Sequence, residues 1–146
     1  MEILLLNKLH DRSGFDCGNV VLNAWLQSFS MQHMRKRLST TYVAVESAST
    51  ADIMGFYSIT ITELYGSVLP STYQKRLPER VPAFLLGRLA IHERFQGMGI
   101  GEKLLANAYQ RCVSASKAVG GSLLLVNAKA SAIQFYKHFD FELMGD

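Results

Sequence analysis

Gln96-Gly97-Met98-Gly99-Ile100-Gly101 packs three glycines into five residues, between the apolar run 84–92 and an amphipathic stretch that begins at Ile100. Glycine permits left-handed backbone and removes the side chain where main chain must approach something closely. The first turn of a helix leaves its N–H groups unpaired and pointing outward. Together they make either a tight strand-to-helix turn or a cradle for an anion, most naturally a phosphate or diphosphate. Spacing excludes two common phosphate loops. A P-loop requires Lys and then a hydroxyl residue after its last glycine, but Gly101 is followed by Glu102, Lys103 and Leu104. A dinucleotide fingerprint requires glycine where Glu102 stands. The pattern that remains is Q-x-x-G-x-G.

Other residues capable of chemistry lie on both sides of this loop. Tyr136 falls between Phe135 and Phe139, which are four apart and share a helix face that Tyr136 does not. It is either one more packed aromatic or a phenol able to protonate a leaving group. Asn127 ends an apolar run and is either a turn residue or a ligand contact. Arg88 interrupts an apolar strand, so it faces a carboxylate or a substrate cleft, and we favour the cleft. Candidates for a general base are poor: Glu63 lies beyond a strand end, Glu93 and Glu102 flank the glycine loop, and His92 and His138 read as ordinary surface or core-edge histidines. Two basic clusters, Arg35-Lys36-Arg37 and Lys75-Arg76 with Arg80, are either a solvated face or a surface for a phosphate-rich partner such as RNA.

The elements that must position these residues follow from periodicity. Residues 3–6 and 42–45 read as strands, and 53–62 pairs with 42–45 as an antiparallel hairpin. Asn19 caps a helix whose buried face is Val21, Leu22, Trp25, Leu26 and Phe29, running on into the first basic cluster. Residues 66–82, broken by Pro70, Pro78 and Pro82, form a long connection expected to be functional or to carry a short helix. A strand over 84–92, a helix from Ile100 to about Val119 ended by Gly120-Gly121, and a strand over 123–126 imply a parallel pair with a right-handed crossover. A helix over 131–138 and a short strand over 141–144 complete the order.

Composition narrows the class. The chain has 146 residues, 49% hydrophobic and 18% charged, with net charge +3, which suits one globular domain. No run is long enough to cross a bilayer, and no signal-peptide layout is present. Cys17 and Cys112 match no metal spacing and suit the reducing cytoplasm, so no metal is expected.

Three blocks carry a family resemblance. The loop 96–101 resembles the pyrophosphate loop of the GCN5-related N-acetyltransferases (GNAT). Residues 127–141, NAKASAIQFYKHFDF, look like that family's closing A-x-x-x-Y-x-x-x-G-F segment, with Asp140 in place of glycine. The stretches FDCGN with LNAWL over 15–26, and LGRLAI over 86–91, are similar to the acetyltransferase toxins of bacterial toxin–antitoxin pairs, the TacT, AtaT and KacT group.

The resemblance implies an α/β (α+β) fold in one domain over 1–146: a mixed central sheet with splayed parallel strands and flanking helices. Relatives continue for another strand, so the domain is expected to be short at its C-terminal strand. It implies acetyl-CoA as co-substrate, with its diphosphate on the amides of Gly97, Met98, Gly99, Ile100, Gly101 and Glu102 beside Gln96. The pantetheine arm would pair with Leu89, Ala90 and Ile91, with Asn127 and Phe135 completing the site and Tyr136 serving the departing thiolate. The implied activity is acetyl transfer to the α-amine of aminoacyl-tRNA, which blocks translation. An α-amine titrates near pH 8, so it needs positioning more than a strong base. Arg35, Lys36, Arg37, Lys75, Arg76, Arg80 and Arg88 would then hold the tRNA. The alternatives are a small amine or protein N-terminus as acceptor, or a coenzyme A-binding module without turnover. The edge left by the short end invites pairing, so a homodimer or a bound antitoxin is expected, the antitoxin of ribbon-helix-helix type by family analogy, and the cysteines suit a cytoplasmic location.

Overall fold

The computed structural model describes residues 1–128, 130–142 and 144. Five strands, β1 (Glu2–Leu5), β2 (Thr40–Val45), β3 (Gly55–Tyr65), β4 (Arg80–Ile91) and β5 (Leu123–Val126), form one sheet in the order of the chain. The first three joins are antiparallel and the β4–β5 join is parallel. Helices α1 (Val20–Ser28) and α2 (Ser30–Arg35) lie between β1 and β2, and α3 (Ser71–Gln74) lies between β3 and β4. Helix α4 (Ile100–Val119) crosses from β4 to β5, and α5 (Ile133–His138) follows β5.

Strand alternation divides the core in two. Val43 and Phe56 face α1 with Leu6, Phe15, Trp25, Leu26 and Ala90. Their neighbours Ala44 and Tyr57 face α4 with Leu86, Ile100, Leu104, Leu105 and Ala108. Both faces of the central strands are thus covered, which is why Gly55–Ser58 is buried without a break. Tyr57 also anchors α4. Its hydroxyl donates to Asn107 Oδ1 at 2.6 Å, Arg111 Nε donates to the same oxygen at 3.0 Å, and the Arg111 guanidinium lies 3.9 Å from the Tyr42 ring centroid.

Several boundaries differ from expectation. Asn19 does cap α1, accepting from Leu22 N at 3.1 Å, but the helix does not run on unbroken. It breaks at Phe29, Ser30 begins α2, and Ser30 Oγ donates to Leu26 O at 2.6 Å. The break turns Phe29 outward (48% exposed), and Val21 is also exposed (77%), so Leu22, Trp25 and Leu26 carry the buried face. Strands β3 and β4 are longer than expected, pairing from Gly55/Ile91 to Tyr65/Arg80 as a long hairpin whose connection holds a 3-10 turn (Gly66–Val68) and the short α3. The strand expected over 141–144 is not formed at Phe141, Glu142 or Met144, and Leu143 lies outside the described residues. The Phe141 ring packs on Tyr136 instead, and Glu142 Oε1 accepts from the Tyr73 hydroxyl.

Candidate active site

The site is built where β4 and β5 part. Their pairing runs from Ala83/Leu123 to Leu86/Val126 and stops there, while β4 continues to Ile91. Gly87 marks the parting. Ile59 pairs with Leu86 and Ser58 with Arg88, so Gly87 is the extra residue of a bulge, and bulges bend and twist a strand. Beyond it, one edge of β4 has no strand neighbour among the described residues, so main-chain groups there are open to an amide-bearing ligand.

The glycine loop lies at the end of that open edge. Gly97 (φ 78°) and Gly99 (φ 80°) are left-handed, and a Cβ at either would meet nothing within 4 Å. Packing therefore does not demand these glycines; conformation and access do. Gly121 contrasts, because its Cβ would collide with the Phe84 ring. Among the described residues, no N–H from 97 to 102 has a hydrogen-bond acceptor, and the first bond into α4 is Lys103 N to Gly99 O at 3.3 Å. Beside these six acceptor-less donors is a cavity of about 480 Å³ lined by Ile91, Gln96, Gly97, Gly99, Ile100, Gly101, Glu102 and Phe135 among others. The Phe135 ring lies against Gly101, where a Cβ would meet it at ordinary contact distance. This donor set fits a diphosphate, and the α4 dipole adds roughly 0.3–1 kcal/mol per charge.

Gln96 lines this cavity, and its side-chain amide is engaged with the main chain. Its Nε2 donates to Cys17 O at 3.2 Å and Ile91 O at 3.0 Å, bracing the loop against β4 and the segment before α1. Glu93 N donates to Asp16 O at 2.8 Å, and Asp16 Oδ1 in turn accepts from Gly18 N and Asn23 Nδ2. Those bonds hold the Asp16 carboxyl below its usual range. The FDCGN block gave a sequence signal here, but its bracing role required the pairing of distant residues.

Tyr136 does not itself line the cavity beside the glycine loop; its ring meets Phe135 edge-on at 5.2 Å, and both pack on the α4-side core. Tyr136 is half-buried, and desolvation raises its pKa, so its phenol stays protonated at neutral pH. It lines a second, larger space of about 1390 Å³ that follows β5 to Val126 and the exposed Asn127. Phe135 and Phe139 pack together at 5.1 Å, as their spacing predicts.

The poor base candidates named from the sequence are scattered. Glu63 pairs with Arg80 on the β3–β4 hairpin at 3.3 Å. Glu93 lies beside Gly18, and Glu102 is exposed on the first turn of α4. His92 accepts from Arg94 N and packs its ring edge-on against Phe15 and Phe95, while His138 meets Phe139 edge-on.

The cations fall into two groups. Arg35, Lys36 and Arg37 are exposed after α2, where Leu38 O accepts from Thr60 Oγ1 at 2.6 Å. Lys75, Arg76 and Arg80 are exposed near the turn of the β3–β4 hairpin, with Arg80 engaged by Glu63 and the Tyr65 ring. Both clusters therefore belong to the end of the sheet opposite the glycine loop. Arg88 stands apart. It meets no carboxylate among the described residues, and its guanidinium carbon lies 4.0 Å from the Trp25 ring centroid, on the face opposite α4. Trp25 was read only as core.

With this geometry in place, the relatives are informative. The tRNA-acetylating toxin of Mycobacterium tuberculosis is 31% identical over 134 residues, 91% of this chain and 79% of that protein. A tyrosine-to-phenylalanine mutant of KacT superposes with TM-score 0.93 at 31% identity, covering 99% of this chain and 88% of that one. AtaT complexed with acetyl-methionyl-tRNAfMet gives 0.90 at 32%, covering 97% and 86%. An AtaT mutant bound to acetyl-CoA and the C-terminus of the antitoxin AtaR gives 0.82 at 29%, covering 96% and 83%. Residues 37–143 match the acetyltransferase (GNAT) domain, and the chain belongs to the GNAT family of acetyltransferases.

Proposed function

We propose that this chain is a toxin that acetylates the α-amine of aminoacyl-tRNA and so inhibits translation. The observation that carries this reading is the run of six acceptor-less amides at 97–102 beside the parted strands, in a chain whose relatives bind acetyl-CoA and acetylated tRNA. Acetyl-CoA supplies an activated thioester. Gly97, Met98, Gly99, Ile100, Gly101 and Glu102 hold its diphosphate through main-chain N–H groups, and Gln96 keeps that loop in place. Leu89, Ala90 and Ile91 offer the open β4 edge to the pantetheine amides, with Asn127 opposite and Phe135 closing the α4 side.

Arg35, Lys36, Arg37, Lys75, Arg76 and Arg80 attract the tRNA backbone, a contact sensitive to salt and indifferent to sequence. Arg88 lies nearer the reacting groups. The acceptor amine is largely neutral near pH 8 and attacks the thioester carbonyl once positioned. The Tyr136 phenol, kept protonated by burial, donates to the sulfur as the C–S bond breaks, and the proton shed by the newly acylated nitrogen returns the phenolate to phenol. A homodimer and a ribbon-helix-helix antitoxin complete the assembly in the cytoplasm, where charged tRNA is found. Incubation with labelled acetyl-CoA and charged tRNA tests the reading: label on the aminoacyl group supports it, and label on free amines or protein alone overturns it.

A further inference from the structure

Arg88 is built into the wall of the site in an unusual state. It is half-buried, and burial lowers its pKa. Among the described residues, its guanidinium has the Trp25 ring as its one aromatic partner, and no oxygen accepts from its N–H groups. Trp25 is itself 93% buried, and its indole Nε1 has no hydrogen-bond partner among the described residues. Desolvated donors without acceptors are expensive to maintain in a core. Here they are held together just past the point where β5 leaves β4.

The face matters as much as the pair. Leu86, Leu89 and Ile91 pack towards α4, the side of the diphosphate loop. The bulge at Gly87 turns Arg88 to the other side with Ala90 and Phe56. A donor lying on the α4 side leaves this opposite side of the opening to the acceptor. Arginine's planar fork suits a phosphate or carboxylate through two parallel bonds, and the stacked indole fixes its plane. An aminoacyl ester has no carboxylate, and its nearest anion is the phosphodiester on the 5′ side of the terminal nucleoside.

We propose that Arg88, seated on Trp25, forms the subsite for the phosphodiester of the acceptor's 3′-terminal nucleotide. The inference rests on the aminoacyl-tRNA reading above. It makes Arg88 a recognition residue for the acceptor end itself, distinct from the exposed clusters that attract the tRNA body.

The test compares three acceptors with the full chain: charged tRNA, the aminoacyl ester of the dinucleotide CpA, and the aminoacyl ester of adenosine, which has no phosphodiester. The wild type is expected to favour the dinucleotide ester by about tenfold or more in kcat/KM, the scale of one charge-assisted bidentate contact. A neutral methylphosphonate linkage should abolish that preference. Arg88→Gln should bring the dinucleotide and adenosine esters to equal kcat/KM, with Arg88→Lys in between. Equal loss on both esters would show that Arg88 only supports the fold, and a preference surviving in Arg88→Gln would place the phosphodiester elsewhere. Either result overturns the subsite while leaving the acetylation reading intact. Failure of the wild type to acetylate any of the three acceptors overturns the acetylation reading itself.

Discussion

Gly99→Ala separates a ligand-binding role for the glycine loop from a purely conformational one, provided that it is paired with Gly120→Ala. The two glycines bracket α4: Gly99 (φ 80°, ψ 9°) is its N-cap and Gly120 (φ 88°, ψ −176°) its C-cap. A Cβ at either meets nothing within 4 Å, so neither substitution creates a clash within the protein. Alanine at left-handed φ destabilises the fold by about 1–2 kcal/mol, and the more extended Gly120 geometry by about 1–3 kcal/mol. For a chain of this length, each kcal/mol lowers Tm by roughly 2–4 °C. Gly120→Ala is therefore expected to lower Tm at least as much as Gly99→Ala.

Binding should part the two variants. A methyl at Gly99 stands among six N–H donors that have no other acceptor, and displacing one or two of them from a diphosphate forfeits about 1–3 kcal/mol. That corresponds to roughly 5- to 150-fold weaker acetyl-CoA binding. Titration calorimetry with acetyl-CoA, run beside thermal unfolding, measures both effects. Equal affinity in the two variants would refute the assignment of the diphosphate to this loop.

Tyr136→Phe should lower single-turnover acetylation by about 10²–10⁴-fold while acetyl-CoA affinity stays within twofold; retained turnover would remove the phenol from the chemistry. Asn107→Leu strands the Tyr57 hydroxyl, whose only hydrogen-bond acceptor among the described residues is Asn107 Oδ1, and should destabilise the chain by about 1–3 kcal/mol in urea titrations. Burial pushes the Cys112 thiol up to about 11, so it should resist alkylation at pH 8 in the native protein and react in urea, as mass spectrometry of the labelled peptide would report. The unfolded thiol ionises from about pH 9 and the folded one only near 11, so this group's contribution is intact below pH 9. Stability should fall as pH rises through that window, with Tyr57 and Tyr136 adding to the fall above pH 10 because burial raises both.

Much of the site was legible because its signals are local. The three-glycine spacing at 97–101 needs only φ and the helix start to become a cradle, and the Ile100–Val119 helix follows from period and the Gly120-Gly121 stop. The antiparallel 42–45 and 53–62 pair and the parallel 84–92 and 123–126 pair were likewise readable from β-forming runs and the helix between them. The Phe135–Phe139 pair followed from helical spacing, whereas the edge-on contact of Phe135 with Tyr136 did not. Less legible were contacts between distant segments. Nothing local to Gln96 reveals that its amide is taken by Cys17 O and Ile91 O, nor does Phe29 announce a helix break that depends on Ser30 closing onto Leu26 O. The strand expected at 141–144 failed for the same reason: a short β-forming run becomes a strand only if a neighbour pairs with it.

Arg88 shows where local pattern ends and tertiary structure takes over. Its identity, a charge amid apolar residues two positions past Leu86, already marked it as meeting something other than core. Strict alternation from Leu86 would nevertheless have turned it towards α4 and the diphosphate loop. The unpaired Gly87 shifts the parity by one and turns it to Trp25 instead. Side-chain period in a strand is two, so a single bulged residue reverses every face beyond it. Residue types and spacing thus specified a row of main-chain donors and a helix behind it; which face of the sheet Arg88 takes was decided only when five strands took up their register.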